Sequence, residues 1–265
     1  MILLSFDIEE FDMPFEYNKD ISFDEQIRRS IEGTEAILDI LAKQQVKATF
    51  FSTVVFAQHA QGTIHRLLRE GHELASHGYY HSDFSPEHLL ASKTALEELF
   101  DVSIQGYRMA RMQPVDEKEV EKAGYIYNSS INPTWLPGRY NNLHISRRYF
   151  WQQNVLQIPA SVTPVVRFPL FWLSFHNLPL WLYNGLSRWT LNKDTYLNIY
   201  FHPWEFTDLT DKVKFGFPFY VRKNTGKKMI RRMDSFIASM KKSKADFVTF
   251  KEFIQRKKIN NGNMD

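Results

Sequence analysis

The sequence predicts an α/β fold, a distorted (β/α) barrel of about seven parallel strands. Short apolar runs alternate along the 265 residues with segments of helical periodicity, and this alternation is typical of parallel sheets with helical crossovers. The first run, 2–6, is interrupted only by Ser5, as expected for a strand buried on both faces. Polar residues follow several runs, and in such barrels the chemistry lies at the carboxyl ends of the strands.

The clearest helix is the segment 23–44, where apolar residues recur at spacings of three and four. Ser22 and Glu25 form a capping-box pattern in front of it. Ser85-Pro86 predicts a second start, because serine caps helices and proline fits their first turn. The predicted strands are 2–6, 46–53, 73–76, 105–108, 125–127, 155–158, 196–201 and 247–250, and the predicted helices are 23–44, 63–70, 85–100, 116–123 and 227–240.

The length fits one large domain or two small ones, and the composition allows a substantial core, since 43% of the residues are apolar and 15% are aromatic. We expect a single catalytic domain over 1–258 and a disordered tail over 259–265. Cysteine is absent, which excludes disulfides and thiolate ligands, so a bound metal would need histidine and carboxylate ligands. Acidic residues follow the first apolar run at once, which does not resemble a signal peptide, so we expect a cytoplasmic protein.

Two segments are unusual in composition. Residues 222–258 contain thirteen basic and three acidic residues, whereas the whole chain has a net charge of +3. This stretch is either a solvated helix face or a patch for an anionic surface, lipid or nucleic acid, and no nucleic-acid motif accompanies it. Residues 168–187 are aromatic and uncharged, but their prolines and polar residues argue against a membrane span. We expect a buried or surface-lying segment, with docking on a membrane or a lipid-linked substrate as the alternative.

Carboxylates, imidazoles, an arginine and an asparagine follow the predicted strands. In chain order they are Asp7, Glu9, His77, His81, Arg108, Asn128 and His202. His77 and His81 are four residues apart, a spacing at which one helical turn places both imidazoles on one side. With one carboxylate they would form a three-ligand metal site with a position open for water or substrate. Isolated histidines are more often surface or core residues, and we assign that role to His59, His65, His88, His144 and His176.

The motifs around these residues resemble the polysaccharide deacetylase family, carbohydrate esterase family four. The resemblance spans residues 5 to 206 and depends on the ordered set, since each motif alone is weak. The motifs are SFDIEE at 5–10, ATFF at 48–51, GHELASHGYYH at 71–81, GYR at 106–108, YNSS at 127–130 and FHPWEF at 201–206. The segment FVTFKEF at 247–253 is also similar to the last strand of the family.

The resemblance implies a divalent metal, usually Zn²⁺ with other first-row metals compatible, and six residues around it. These are Asp7 as the general base, Arg108 as the group that orients it, Glu9, His77 and His81 as metal ligands, and His202 as the general acid. Amide hydrolysis needs such a set: an activated water, a base for its proton and an acid for the departing amine. In an extended segment Asp7 and Glu9 share a face while Glu10 points away, which favours Glu9 over Glu10 as the ligand.

The same resemblance implies the substrate contacts. The backbone N–H near Arg111 matches the oxyanion donor of the family, and Tyr79 and Trp204 either suit the faces of sugar rings or pack in the core. The expected substrate is an N-acetylated amino sugar, in a polysaccharide or in a lipid-linked or nucleotide-linked biosynthetic intermediate at the inner face of a membrane. Two alternatives stay open: a related metal amidohydrolase acting on a non-sugar amide, and a non-catalytic carbohydrate-binding protein.

Three positions depart from the pattern of the family. Met109-Ala110 follow the arginine where x-Pro is usual, and Glu9 stands where many members have an aspartate. Asn128 replaces an aspartate that would pair with the arginine. We therefore expect Glu10 or Asp12 to supply the negative charge beside that guanidinium.

Overall fold

The computed structural model describes residues 1–259 and contains ten strands and eleven α-helices within that range. The strands are β1 (Ile2–Ile8), β2 (Thr49–Ser52), β3 (Glu73–Ser76), β4 (Gly106–Tyr107), β5 (Tyr127–Asn128), β6 (Trp135–Leu136), β7 (Tyr140–Asn141), β8 (Phe150–Gln152), β9 (Val155–Gln157) and β10 (Leu197–Phe201). The helices are α1 (Phe23–Gln44), α2 (Val54–His59), α3 (Gln61–Arg69), α4 (Glu87–Phe100), α5 (Glu117–Lys122), α6 (Trp172–Asn177), α7 (Leu180–Asp194), α8 (Lys212–Phe215), α9 (Phe219–Arg222), α10 (Lys227–Lys242) and α11 (Phe250–Lys257).

Seven strands of the main sheet run parallel in the order β10-β1-β2-β3-β4-β5-β9, and β8 is added antiparallel at the edge. The sheet curls into a half-barrel with helices around it, which confirms the predicted distorted barrel of about seven parallel strands. Strand β1 is second in this order, pairs with both β2 and β10, and is buried at all seven residues. Its near-continuous apolar run follows from burial on both faces.

Two of the differences from the predicted boundaries arise because threonine side chains start helices there. The strand predicted at 46–53 ends at Ser52, since Thr53 caps α2 by accepting a hydrogen bond from the Phe56 N–H. The strand predicted at 247–250 is wrong. Phe247 makes a single bridge to β1, and Thr249 is already the N-cap of α11. Both outcomes reflect the strong preference of threonine for the N-cap.

The uncharged aromatic segment forms α6 and the first half of α7. Phe175 and Tyr183 are fully buried and pack against Phe236 of α10, whereas Trp181 is 75% exposed. Helix α10 itself buries methionines and Phe236 and turns its lysines outward. The basic stretch therefore supplies a solvated helix face, as one of the two interpretations predicted.

Within residues 1–259, no helix combines the length and the apolar character needed to cross a bilayer. The tail predicted at 259–265 lies outside the described residues, except for Ile259, which is buried in a cluster with Phe250 and Phe253.

Helix α1 packs closely on the turn that follows β10. A Cβ atom built at Gly33 would lie 1.9 Å from the carbonyl oxygen of Pro203. This separation is far below any real contact, so the helix can approach the backbone only through a glycine. The turn is the one that carries His202 and Glu205, and α1 thereby fixes its position.

Replacing Gly33 by alanine should lower the free energy of unfolding by about 1–3 kcal/mol, because the added methyl forces a backbone shift in a packed interior. Gly62→Ala is the matched control: Gly62 lies in α3 with nothing within 4 Å of its would-be Cβ, so alanine should stabilise that helix by up to about 1 kcal/mol. Urea unfolding of both variants measures the difference. A Gly33→Ala protein as stable as the wild type would refute the close approach.

Candidate active site

The carboxyl ends of β1, β3, β4 and β10 bring the predicted residues to one rim. Asp7 lies in β1, and His77, Arg108 and His202 each follow directly on β3, β4 and β10. A cleft of about 310 Å³ opens at this rim. Six of the predicted residues line it: Asp7, Glu9, His81, Arg111, His202 and Trp204.

Glu9, His77 and His81 form a cluster of possible metal ligands. The Nε2 atoms of His77 and His81 lie 3.0 and 3.1 Å from Oε2 of Glu9. On the other side of the rings, Nδ1 of His77 lies 2.8 Å from the carbonyl oxygen of Arg108, and Nδ1 of His81 lies 2.8 Å from Oδ1 of Asp12. These acceptors hold a proton on Nδ1 and orient both Nε2 atoms toward the carboxylate, an arrangement typical of metal-binding histidines.

The donor atoms of this cluster fit a divalent cation. Oε2 of Glu9 is buried and receives no well-aligned hydrogen bond, although the two imidazole nitrogens lie 3.0 and 3.1 Å away. A buried carboxylate oxygen needs a compensating charge or donor. One oxygen or nitrogen from each of the three residues lies within 4.8 Å of the others. A carboxylate with two imidazoles is a donor set that Zn²⁺ uses where a coordination position stays open. Glu10 is absent from the cluster, since its carboxylate accepts a hydrogen bond from the Thr53 hydroxyl.

The electrostatics of the cluster also favour added positive charge. Burial acts to raise the pKa of Glu9, but His81, His77 and His202 together lower it to about 2. Burial acts to lower the pKa of His81, but Glu9 and Asp12 raise it to about 9. A cation bound here would take the place of the proton on His81, so metal binding should release a proton at neutral pH.

Arg108 is fully buried and holds Asp7 in place. Its Nη1 donates to Oδ1 of Asp7 at 2.6 Å and to the Ser5 hydroxyl at 3.0 Å, and its Nε donates to the carbonyl oxygen of Ser129 at 3.0 Å. The guanidinium carbon lies 4.0 Å from the ring centroid of Phe51. This rigid fork fixes the carboxylate in one orientation with its charge balanced.

The expectation that Glu10 or Asp12 would neutralise Arg108 is wrong, because the aspartate of β1 already does so. Asn128 also has a different partner from the one its motif implies. Its Nδ2 donates to Oε1 of Glu117 at 2.9 Å, while its Oδ1 accepts from the Ser130 hydroxyl. The departure from aspartate at this position therefore leaves the ion pair of the arginine intact.

His202 is positioned by the turn after β10. Its Nδ1 lies 3.0 Å from Oε1 of Glu205, and its ring stacks on Trp204 with centroids 4.9 Å apart. Burial acts to lower the pKa of His202, but the hydrogen bond to Glu205 and the charges of Glu9 and Asp7 raise it above its ordinary value. A histidine that keeps its proton near neutral pH suits the role of a general acid.

The other predicted contacts have mixed outcomes. Arg111 adopts a left-handed backbone conformation with φ of 55°, and its side chain pairs with Glu16 at 2.8 Å and with Asp12 at 3.3 Å. Trp204 lines the cleft but is only 3% exposed, and its ring stacks on His202. Tyr79 lies elsewhere: its ring contacts Tyr80 and His88, and it packs against the hydrophobic core.

Sequence reasoning missed three residues around the site. Asp12 was expected beside the arginine and instead holds His81. Glu205 had a detectable signal, since it stands three residues after His202 within the FHPWEF motif. His176 had none, because it meets Glu205 only through the fold, from 29 residues away.

Comparisons with known proteins support the resemblance to the family. Residues 20–122 match the model of the polysaccharide deacetylase family, which confirms the resemblance that the motifs indicated. The chain is 40% identical over 52 residues to the chitooligosaccharide deacetylase of Sinorhizobium fredii (strain NBRC 101917 / NGR234), which is 20% of this chain and 24% of that protein. It spans about a quarter of the length of the curated relatives it matches.

The fold is shared over almost the whole chain with solved structures. A putative polysaccharide deacetylase from Mycobacterium smegmatis superposes with a TM-score of 0.67 at 18% identity, over 100% of this chain and 93% of the other. Puue allantoinase superposes with a TM-score of 0.67 at 16% identity, over 99% and 91%. At these identities the likeness shows the fold, and the chemistry has to be argued from the site itself.

Asp12→Asn should weaken the affinity for Zn²⁺ by about 10–100-fold, because the carboxylate that orients and polarises His81 is lost while the ligands themselves remain. Competition with a fluorescent chelator measures the affinity. Glu16→Gln is the control, since Glu16 pairs with Arg111 on the outer side and does not touch a ligand. Equal affinities for Asp12→Asn and Glu16→Gln would exclude this role for Asp12.

Proposed function

We propose that this protein is a metal-dependent hydrolase that removes the N-acetyl group from an amino sugar. The observation that carries the proposal is the convergence, on one cleft, of a metal-donor cluster, a carboxylate held by a buried arginine and a histidine acid. The match to the deacetylase family supports the same reaction class. The N-acetyl group is an amide, and its hydrolysis requires each of these three elements.

Hydrolysis begins with the attacking water. Glu9, His77 and His81 would hold a divalent cation, Zn²⁺ or another first-row metal, which supplies polarisation of the acetyl carbonyl and activation of the water. Asp7 accepts the proton of the water, and Arg108 holds that carboxylate in position through its hydrogen bond to Oδ1. Both side chains are buried, so the base has no bulk water to reorient it.

The later steps need groups that donate a hydrogen bond or a proton. The backbone N–H near Arg111 would stabilise the oxyanion, and one such donor contributes roughly 3 kcal/mol. His202 donates its Nε2 proton to the sugar nitrogen as the C–N bond breaks, because the amine leaves poorly as an anion. The Nδ1 side of the ring is occupied by Glu205, which leaves Nε2 for the substrate.

The lining of the cleft suits a sugar. Trp172, Tyr140 and Tyr200 lie among polar residues around the candidate ligands, and aromatic rings with a few polar groups are typical of small-molecule sites. The same fold occurs in an allantoinase, so the fold alone does not decide between a sugar amide and another amide. The family match and the aromatic lining favour the N-acetyl amino sugar.

His77→Ala should reduce kcat/KM for acetate release from N-acetylhexosamine oligosaccharides by at least about a thousandfold, because several kcal/mol of metal-based stabilisation are lost. His144→Ala, at an exposed position in the loop after β7, should retain full activity. Acetate is measured with a coupled assay in the presence of Zn²⁺. Full activity of His77→Ala would overturn the proposal, as would turnover of small acyclic amides without sugar activity or metal-independent glycan binding without turnover.

We also infer that the cleft opens at a surface that contacts an anionic membrane, where a lipid-linked amino sugar would be the substrate. Helix α9 exposes Phe219 by 65% and Tyr220 by 52%, and Tyr220 also lines the cleft. Lysines and arginines flank these rings, namely Lys212, Lys214, Arg222, Lys223, Lys227 and Lys228. Exposed aromatics bordered by basic residues are typical of peripheral membrane contact.

Phe219→Ser should weaken binding to vesicles that contain phosphatidylglycerol by several-fold, because a ring that inserts at the interface is removed. Leu90→Ser, at a similarly exposed position on α4 (55%), should bind like the wild type. Vesicle co-sedimentation at low and physiological salt measures both. If the wild type ignores anionic vesicles and prefers free soluble sugars, the membrane proposal is wrong.

A further inference from the structure

Behind His202 lies a second buried histidine that the reaction above does not use. His176, at the end of α6, is fully buried, as is the Glu205 carboxylate between the two rings. Nε2 of His176 lies 2.7 Å from Oε2 of Glu205, and Oε1 of Glu205 lies 3.0 Å from Nδ1 of His202. The chain Lys223–His176–Glu205–His202 therefore runs from the backbone carbonyl of the partly buried Lys223 to the cleft.

Counting donors and acceptors assigns the protons along this chain. Nδ1 of His176 lies 2.8 Å from the carbonyl oxygen of Lys223, which only accepts, so this nitrogen carries a proton. The contact between Nε2 of His176 and Oε2 of Glu205 needs one proton, and the contact between Oε1 and His202 needs another. Oε1 also accepts from the His202 backbone N–H at 2.6 Å. One proton is thus shared between His176 and Glu205, and their sum of charges is zero.

We infer, on the basis of the proposed deacetylase function, that His176 is a positioning residue for His202 that acts through Glu205. It has two effects. By pairing with Oε2, it locks the carboxylate so that Oε1 holds Nδ1 of His202 and leaves Nε2 directed to the cleft. By sharing its proton, it cancels the charge of the carboxylate behind the acid, so that His202 still gives up a proton to the departing amine.

Titratable and charged groups on other elements also face the relay. Asp7 of β1 and Glu9 just after it act on His202 from the cleft side. From α7, the phenol of Tyr183 lies within the field of Glu205. From α10, the Arg232 guanidinium packs over Phe175 and donates to the carbonyl oxygens of that residue and of Leu178, not to the relay.

Two other histidines, His72 and His88, have different partners. His72 is also buried, but its Nδ1 accepts from the Ala48 backbone N–H and its Nε2 has no hydrogen-bond partner. His88 is half-buried and accepts from the Ser85 N–H. Glu9 also lies between two imidazoles, but Nε2 of His77 and Nε2 of His81 both face its Oε2. Glu205 instead uses a separate oxygen for each ring, Oε2 for His176 and Oε1 for His202.

The test uses two substitutions with opposite expected effects. In His176→Gln, the amide still donates to Glu205 but shares no proton, so an uncompensated carboxylate faces His202. The pKa of His202 should rise by about one unit or more, since an opposite charge at hydrogen-bond distance shifts a pKa by 1–3 units. In Glu205→Gln, the carboxylate is gone, and the pKa of His202 should fall by a similar amount.

The pKa of His202 is read from the side-chain ¹⁵N shifts of the Zn²⁺-loaded full-length protein, and from the alkaline limb of the pH–rate profile. Activity on an N-acetyl amine should fall at least tenfold in both variants, whereas hydrolysis of an acetate ester with a nitrophenol leaving group should change little, because that group needs no acid. His72→Gln is the control for replacing a buried histidine outside the relay. If His176→Gln does not fold, His176→Asn, which keeps the bond to Lys223, tests the same shift.

Shifts of the same sign in the two variants, or no shift in either, would overturn the relay and leave His176 as a packing residue. Equal losses on the amide and the ester would do the same. The ¹⁵N titration does not depend on turnover. A wild-type protein that lacks deacetylase activity but shows the two opposite shifts would therefore reject the proposed function and retain the relay.

Discussion

The rest of the site depends on the burial of Arg108. A guanidinium that is fully removed from water is costly unless its donors are paired, and this one is paired with the carboxylate of β1, a serine on the same strand and the backbone and hydroxyl of Ser129 beyond β5. Those partners come from β1 and from the residue that follows β5, and Arg108 itself follows β4. The ion pair therefore ties the order of the strands to the orientation of Asp7, and it also presents the Arg108 carbonyl to His77.

The same physical arrangement recurs at each histidine of the cleft. The three imidazoles have Nδ1 paired to an acceptor, namely a backbone carbonyl for His77, Asp12 for His81 and Glu205 for His202. In each case Nε2 is left for the cleft, so the fold sets the tautomer before any ligand binds. What differs is the charge of the acceptor at Nδ1. It is neutral for His77, anionic for His81, and anionic with a compensating histidine for His202. This gradation suits two metal ligands and one acid built from the same side chain.

Much of this could be predicted from local pattern. The parallel sheet, the burial of an apolar first strand on both faces and the residues at the strand ends follow from periodicity and from the chemistry of each side chain. The failures occurred where partners are distant in sequence. The expectations for Asp12 and Asn128 rest on their neighbours in the chain. The fold instead places Asp12 against His81 and Asn128 against Glu117.

The sequence by itself determined that carboxylates and imidazoles follow particular strands, because strand periodicity dictates which side chains leave the sheet at its carboxyl edge. It also determined which of two adjacent glutamates shares a face with Asp7, since alternation along a strand is local geometry. Only the tertiary structure decided which acceptor holds each ring nitrogen, which carboxylate balances the arginine and that His176 stands behind His202. Those are pairings between buried groups, and they exist only where packing from several elements excludes water and leaves each polar atom a single partner.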